Sequence, residues 1–327
     1  MTYLASLLPL AAIYAILCLG LNLQFGYTGI LNFTYITFVA IGALVSGVLS
    51  IGPPASGSLM TYILGAHVPF PLNIVAGGGA AAILGLLISV TALGRLRSDY
   101  LAIVTVAAGQ VVYTIVGNET SFFNGWDGIF GIPQPVPPSL SATGQQLYFG
   151  AITLVALGIV LVAAERIRRA PLGRALRAIR EDEGVTAAFG RNTFSLKLLV
   201  FILGSFIAGC GGALLGEYAT AFNPSAMLPN ETFILWAAIL IGGVGNNWGA
   251  MLGALIVPVG FAEATRFLPQ LGSAVLIESL RGVAIGLLIV LVLRFLPRGI
   301  LPERPAAEPV GAPDIETPAV EGAQSRG

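Results

Sequence analysis

Apolar residues run through this chain in long stretches separated by short polar intervals. A soluble helix or strand with one wet face would instead alternate apolar and polar positions with its own period. A helix needs about 20 mostly apolar residues to cross the hydrocarbon core of a bilayer. Runs of that kind predict spans at 2–21, 31–51, 71–94, 100–117, 147–164 and 197–217. From 232 to 296 the apolar signal continues with two interruptions, Gly242-Gly243-Val244-Gly245-Asn246-Asn247 and the stretch around Pro269 to Ser273. These divide it into 232–247, 249–268 and 275–296, the first short enough to be re-entrant. The prediction is an all-α, polytopic membrane helical bundle of about 8–10 transmembrane helices. Its broken or re-entrant segment falls near 242–249.

Composition agrees with that pattern. Only 10% of the 327 residues are charged and 56% are hydrophobic, against about 25% charged in an ordinary soluble domain. The 16 basic and 16 acidic residues cancel, so no net field favours nucleic acid. Leu4 to Leu21 follows no basic stretch and reads as a first span, not a cleavable signal. The basic residues also orient the bundle. Arg166, Arg168, Arg169, Arg174, Arg177, Arg180, Arg191 and Lys197 mark 165–197 as cytoplasmic, and Arg95 with Arg97 marks a second cytoplasmic turn. The loop 118–146 has no Lys or Arg, holds Glu119 and Asp127, and falls outside. Counting back puts the N-terminus outside, and nine crossings bring Arg294, Arg298 and Arg304 inside. The membrane-spanning body is expected to occupy 1–297. From 298 to 327 a Pro-, Ala- and Glu-rich stretch without periodicity predicts a disordered cytoplasmic tail.

Several chemistries are excluded. The single lysine, Lys197, lies between two leucines, so the chain has no phosphate-binding loop of the G-x-x-x-x-G-K-[ST] kind. The single histidine, His67, rules out multi-histidine metal or haem sites. Cys18 and Cys210 read as small buried hydrophobes. No nucleophile–histidine–acid set is apparent. Transport is the remaining default. An ion-coupled carrier would keep ionisable groups near mid-membrane, but Glu217, Glu263 and Glu278 fall near predicted span ends, where solvation is expected. The polar residues of the spans are neutral: Asn22, Gln24, Asn32, Tyr35, Gln110 and Tyr113. They suit a wet passage for a polar or zwitterionic solute.

The cytoplasmic segment has a pattern of its own. Leu172, Leu176 and Ile179 recur at helical spacing, with Arg174, Arg177 and Arg180 on another face and Pro171 at a first turn. After Gly184 a second piece ends in Ala187-Ala188-Phe189-Gly190. Two short helices with small side chains can insert into a groove on a partner, or lie as an amphipathic loop at the lipid headgroups. Both readings stand on the residues alone. Gly243-x-Gly245-x-x-x-Gly249-x-x-x-Gly253 likewise allows close helix packing or a break lining the passage.

Five ordered segments carry a family resemblance. They are Leu19 to Gly29 with Leu31-Asn32-Phe33; Arg97 to Thr105; Asn124 to Ile129 with Gly131-Ile132-Pro133; Gly173 to Glu183 with Ala187-Ala188-x-Gly190; and Ile241 to Gly249. Across about residues 10–300 the chain resembles the LivM/LivH permeases, membrane subunits of ATP-binding-cassette importers for branched-chain amino acids. Asp99 to Thr105 and Gly131-Ile132-Pro133 look more like the LivM branch. The resemblance implies a bacterial plasma (inner) membrane location and no cofactor on this chain, with ATP and Mg on partner ATPases. Those partners are a LivH-like second permease, two ATP-binding subunits and an extracytoplasmic solute-binding protein. It assigns ATPase coupling to Arg174, Arg177, Glu181, Asp182, Ala187, Ala188 and Gly190. The translocation path falls to Asn22, Gln24, Asn32, Tyr35, Tyr100, Gln110, Gly243 and Gly245, and binding-protein docking to Asn124, Asp127 and Gly128. The chain departs from the family at Thr34-Tyr35, where a small pair is usual, and at Gly125-Trp126, where Gly-Gly is usual. Relatives also carry urea or short amides, and an ion-coupled carrier and a non-transporting membrane scaffold are the competing classes.

Overall fold

A computed structural model describes residues 2–54, 60–93, 98–261, 274–296 and 298–303. Arg95, Arg97, Glu263, the interruption at 269–273 and the tail beyond 303 lie outside the described residues. The fold is helical: α1 (Thr2–Leu21), α2 (Tyr35–Ile51), α3 (Leu72–Ala92), α4 (Ser98–Asn118), α5 (Thr120–Phe123), α6 (Ala142–Arg169), α7 (Pro171–Glu181), α8 (Glu183–Ala188), α9 (Thr193–Ala219), α10 (Pro229–Gly242), α11 (Asn247–Ala254) and α12 (Ala274–Phe295). Among the described residues five helices are long and apolar enough to cross a membrane, and four shorter apolar helices accompany them. Helix starts follow local chemistry. Pro171 and Pro229 occupy first turns, while Ser141, Asp182, Asn192 and Asn246 accept backbone N–H bonds as caps.

The centre is a three-helix wedge of α2, α3 and α9 built on glycine. A Cβ on Gly42 would lie 2.1 Å from Gly209 O, one on Gly212 would lie 1.8 Å from Val39 O, and one on Gly77 would lie 2.6 Å from Gly42 O. Backbones this close gain dispersion contacts that longer side chains would prevent. Tyr35, Phe38 and Phe201 fill the space beside them, each fully buried.

Three span boundaries beside the irregular segments differ from those the hydropathy predicts. α1 continues as a π-helical turn to Gly26, and the second span starts at Tyr35, not at 31. Tyr35 Oη donates to Leu17 O at 2.8 Å, and Leu17 lies about 13 Å up α1 from Gly26. α2 therefore begins partway through the bundle, and its 17 residues run about 25 Å toward the outer end. α10 starts at the same level, since Ile36 N donates to Thr232 Oγ1 at 3.3 Å. It runs the other way, 14 residues or about 21 Å, ending at Gly242 and not at 247. The turn Gly243–Asn246 returns the chain into α11, so the expected break near 242–249 is a helical hairpin. Gly249 and Gly253 pack against Gly242 and Ala238, whereas Gly243 and Gly245 supply positive φ in the turn (127° and 78°). Gly249 and Gly253 thus serve close helix packing, and Gly243 and Gly245 form a break in the helix.

At the opposite end, Ile129–Phe130 pairs antiparallel with Ala221–Phe222, pinning the loop 118–146 to the end of α9. Tyr218 Oη donates to Ser6 O at 3.0 Å, which puts the start of α1 at this same end, away from α7. Glu217 departs from its expected solvation. It is 1% exposed and accepts from Asn73 Nδ2 at 2.6 Å. Six residues beyond the boundary drawn at 297 also fold: Ile300 N donates to Ile241 O at 2.8 Å and Leu301 N to Gly242 O at 2.9 Å.

Candidate functional site

The irregular stretch between α1 and α2 needs partners for its backbone, because exposed polar groups are tolerated at membrane depth only inside protein. Side chains supply them. Phe33 N donates to Thr105 Oγ1 at 3.2 Å and Thr34 N to Asn32 Oδ1 at 3.0 Å, while Thr34 Oγ1 donates to Thr105 O. Asn32 Nδ2 donates to Gln24 Oε1 at 2.7 Å, and Gln24 Nε2 to Phe201 O at 2.9 Å. Below them Asn22 Nδ2 and Tyr27 Oη both donate to Asn247 Oδ1, at 3.2 and 2.7 Å. Asn22 Oδ1 accepts from Gly245 N at 2.9 Å. Asn22, Gln24 and Asn32, predicted as one passage-lining set, are thus brought together with each side chain fully buried. They fall in two bonded groups, Asn32–Gln24 tied to α9 and Asn22–Asn247–Tyr27 tied to the α10–α11 turn, and Asn247 Nδ2 also donates to Glu165 Oε2 on α6 at 3.3 Å.

The other predicted passage residues lie elsewhere. Tyr35 is a wedge residue with its hydroxyl consumed by α1. Tyr100 is 60% exposed and Gln110 is exposed, both on the outward face of α4. Gly243 and Gly245 sit at the inner end beside Leu301 and Glu303. Thr105 and Asn247, which the sequence reading did not single out, bond the irregular stretch and Asn22 instead. Their signal was modest: each lies inside a quoted motif, but neither differs in type from many span residues.

In the basic segment 165–197 the two predicted pieces are α7 and α8, with Asp182 capping the second through Val185 N at 2.9 Å. Gly173, Leu176 and Ile179 turn inward, and Leu176 joins Leu23, Tyr27 and Val200 in one apolar cluster. Arg174, Glu181, Asp182, Ala187, Ala188 and Gly190 are exposed. Arg177 is not available in the same way, because it is half-buried against Glu303 at 3.5 Å. Val185 and Phe189, one helical turn apart, are 52% and 83% exposed. They rim a groove of about 410 Å³ lined by Arg174, Ala178, Glu181 and Thr186 among others. Sequence reasoning passed over both, although a lone Phe among alanines in a cytoplasmic loop was the available cue.

In the outer loop Asn124 is buried at φ 62°, with Nδ2 on Gly128 O at 2.8 Å and Oδ1 accepting from Thr61 N at 3.0 Å. A Cβ on Gly128 would meet Phe222 O at 2.4 Å. These two residues hold the loop's shape. Asp127 is exposed, and so are Phe122, Trp126 and Phe130. A groove of about 370 Å³ runs from Asp127 and Phe130 to Asn223 and Ala226.

Comparisons with known proteins agree with this layout. Residues 3–293 match the family described as branched-chain amino acid transport system / permease component. The high-affinity branched-chain amino acid transport system permease protein LivM of Escherichia coli (strain K12) is 31% identical over 317 residues, covering 90% of this chain and 68% of the relative. The LivH protein of the same organism is 29% identical, covering 92% and 94%. The BraD permease of Pseudomonas aeruginosa is 29% identical, covering 93% and 95%. No solved structure matches the chain. With its long apolar helices, the chain is a multi-pass membrane protein that belongs to the permease-component family of branched-chain amino acid transport systems.

Proposed function

We propose that this chain is the LivM-like membrane-spanning subunit of an ATP-binding-cassette importer in a bacterial inner membrane. It translocates branched-chain or related amino acids by alternating access. The observation that carries this reading is the α7–α8 pair, which presents exposed Val185 and Phe189 beside Arg174, Glu181 and Asp182. Apolar anchors rimmed by charge suit a protein groove better than water. Two separate ATP-binding subunits dock there and hold the ATP and Mg, consistent with the missing phosphate loop; this chain binds no cofactor. A solute-binding protein docks on the outer loop through Asp127, Trp126 and Phe130, with Asn124 and Gly128 shaping that surface. A LivH-like second permease covers α4, where Tyr100 and Gln110 face the passage between subunits. Asn22, Gln24 and Asn32, fully buried in this chain, brace the helices behind that passage instead of lining it. The test is co-purification of the chain with its ATPases and binding protein, followed by ATP-dependent uptake in proteoliposomes. Leucine uptake that requires all components supports the reading. Uptake of urea or a short amide instead moves the substrate class, and uptake driven by an ion gradient without ATPase refutes it.

A further inference from the structure

Beyond α12 the chain forms a strap across the inner end of the bundle. Ile300 and Leu301 pair with Ile241 and Gly242, and Asn246 Nδ2 donates to Leu301 O and Pro302 O at 3.2 Å each. Glu303 then receives two guanidinium groups from α7: Arg180 at 2.6 Å and Arg177 at 3.5 Å. The other terminal nitrogen of Arg180 donates to Gly26 O, at the π-helical end of α1. One carboxylate and one guanidinium therefore join α7, the strap, the α10–α11 turn and α1. The contact has no slack. A Cβ on Gly243 would lie 2.1 Å from Leu301 O, and one on Gly245 would lie 2.7 Å from Glu303 Oε2. Directly behind it, Gly245 N reaches Asn22 of the buried network.

We propose that Glu303 is a positioning residue for coupling, the joint through which movement of α7 is passed to the α10–α11 turn and the Asn22–Asn247 network. This rests on the reading of α7–α8 as the ATPase dock. The geometry favours transmission over simple anchoring. α7 is already anchored by Leu176 and Ile179, so the double ion pair is not needed to hold it down. It connects instead to the segment that carries positive-φ glycines and a change of helix direction, where a small displacement can be absorbed by backbone rotation.

The experiment uses the assembled transporter in proteoliposomes and compares Glu303→Gln, Glu303→Asp and the unaltered chain. Three quantities are read: ATPase co-purification, ATP hydrolysis stimulated by loaded binding protein, and leucine taken up per ATP. The expected result is unchanged co-purification and continued hydrolysis in both variants. Uptake per ATP should fall about tenfold for Glu303→Gln, within the usual range of coupling between sites, and less for Glu303→Asp, which keeps the charge. An unaltered uptake-to-ATP ratio in Glu303→Gln overturns the proposal. So does parallel loss of co-purification and hydrolysis in both variants, since that marks a merely structural residue. If the unaltered chain itself fails to retain an ATPase, the docking reading falls and this proposal with it.

Discussion

Asn247 accepts from both Asn22 and Tyr27, and all three residues are buried. Asn247→Ala leaves two donors without an acceptor, a loss of about 1–3 kcal/mol, and should lower the melting temperature of the detergent-purified chain. Tyr27→Phe removes one donor and should cost less. A double-mutant cycle between the two should be non-additive, because they share one bond. Glycine gives a second residue-scale prediction with an internal control. Gly42→Leu would drive a side chain into Gly209 and should abolish the monodisperse peak in size-exclusion chromatography. Gly79→Ala on the neighbouring helix, where a Cβ meets nothing within 4 Å, should be silent. The sequence named Asn22, Gln24 and Asn32 correctly as a polar set, because neutral amides in an apolar run are conspicuous. It could not show what they bond, since Gln24 reaches Phe201 and Asn22 reaches Asn247, 177 and 225 positions away.

Helix ends are where hydropathy and structure part. Apolar runs located the long spans within a few residues, but the start of α2 is set by bonds from Tyr35 to Leu17 and from Ile36 to Thr232. Neither leaves a mark in local hydrophobicity. The coupling helices were more legible, because an amphipathic period, a helix-starting proline and a capping aspartate all lie within the segment itself. Their outward residues lead to an element-scale prediction. Phe189→Ala should weaken ATPase retention by about tenfold, the size of a moderate interface anchor, as read by pull-down of the labelled subunit. Glu181→Lys and Ala188→Arg should leave membrane insertion intact and abolish substrate-stimulated uptake. Normal uptake in all three would remove α8 from the dock.

For the whole molecule, composition alone pointed to membrane residence, and the basic residues set the expectation of which end is cytoplasmic. What composition could not supply is which outward faces meet lipid and which meet protein. α6 exposes Leu154, Val155, Ile159 and Val162, whereas α4 exposes Ile103, Val111 and Ile115 interspersed with Gln110, Thr114 and Asn118. Amides are costly in hydrocarbon, so a cysteine at Gln110 should cross-link to the second permease in membranes, and one at Ile159 should not. The glycine wedge bears on the transport cycle as a whole. Helices notched into one another backbone to backbone can turn together, but they cannot slide. An axial shift of even one residue, about 1.5 Å, would press α-carbons into carbonyl oxygens. The wedge of α2, α3 and α9 is therefore built to move as one block, and under the proposed function a stroke should reach it as a tilt against the α10–α11 hairpin. Spin labels placed within the wedge should keep their spacing through the cycle, while pairs between wedge and hairpin change theirs.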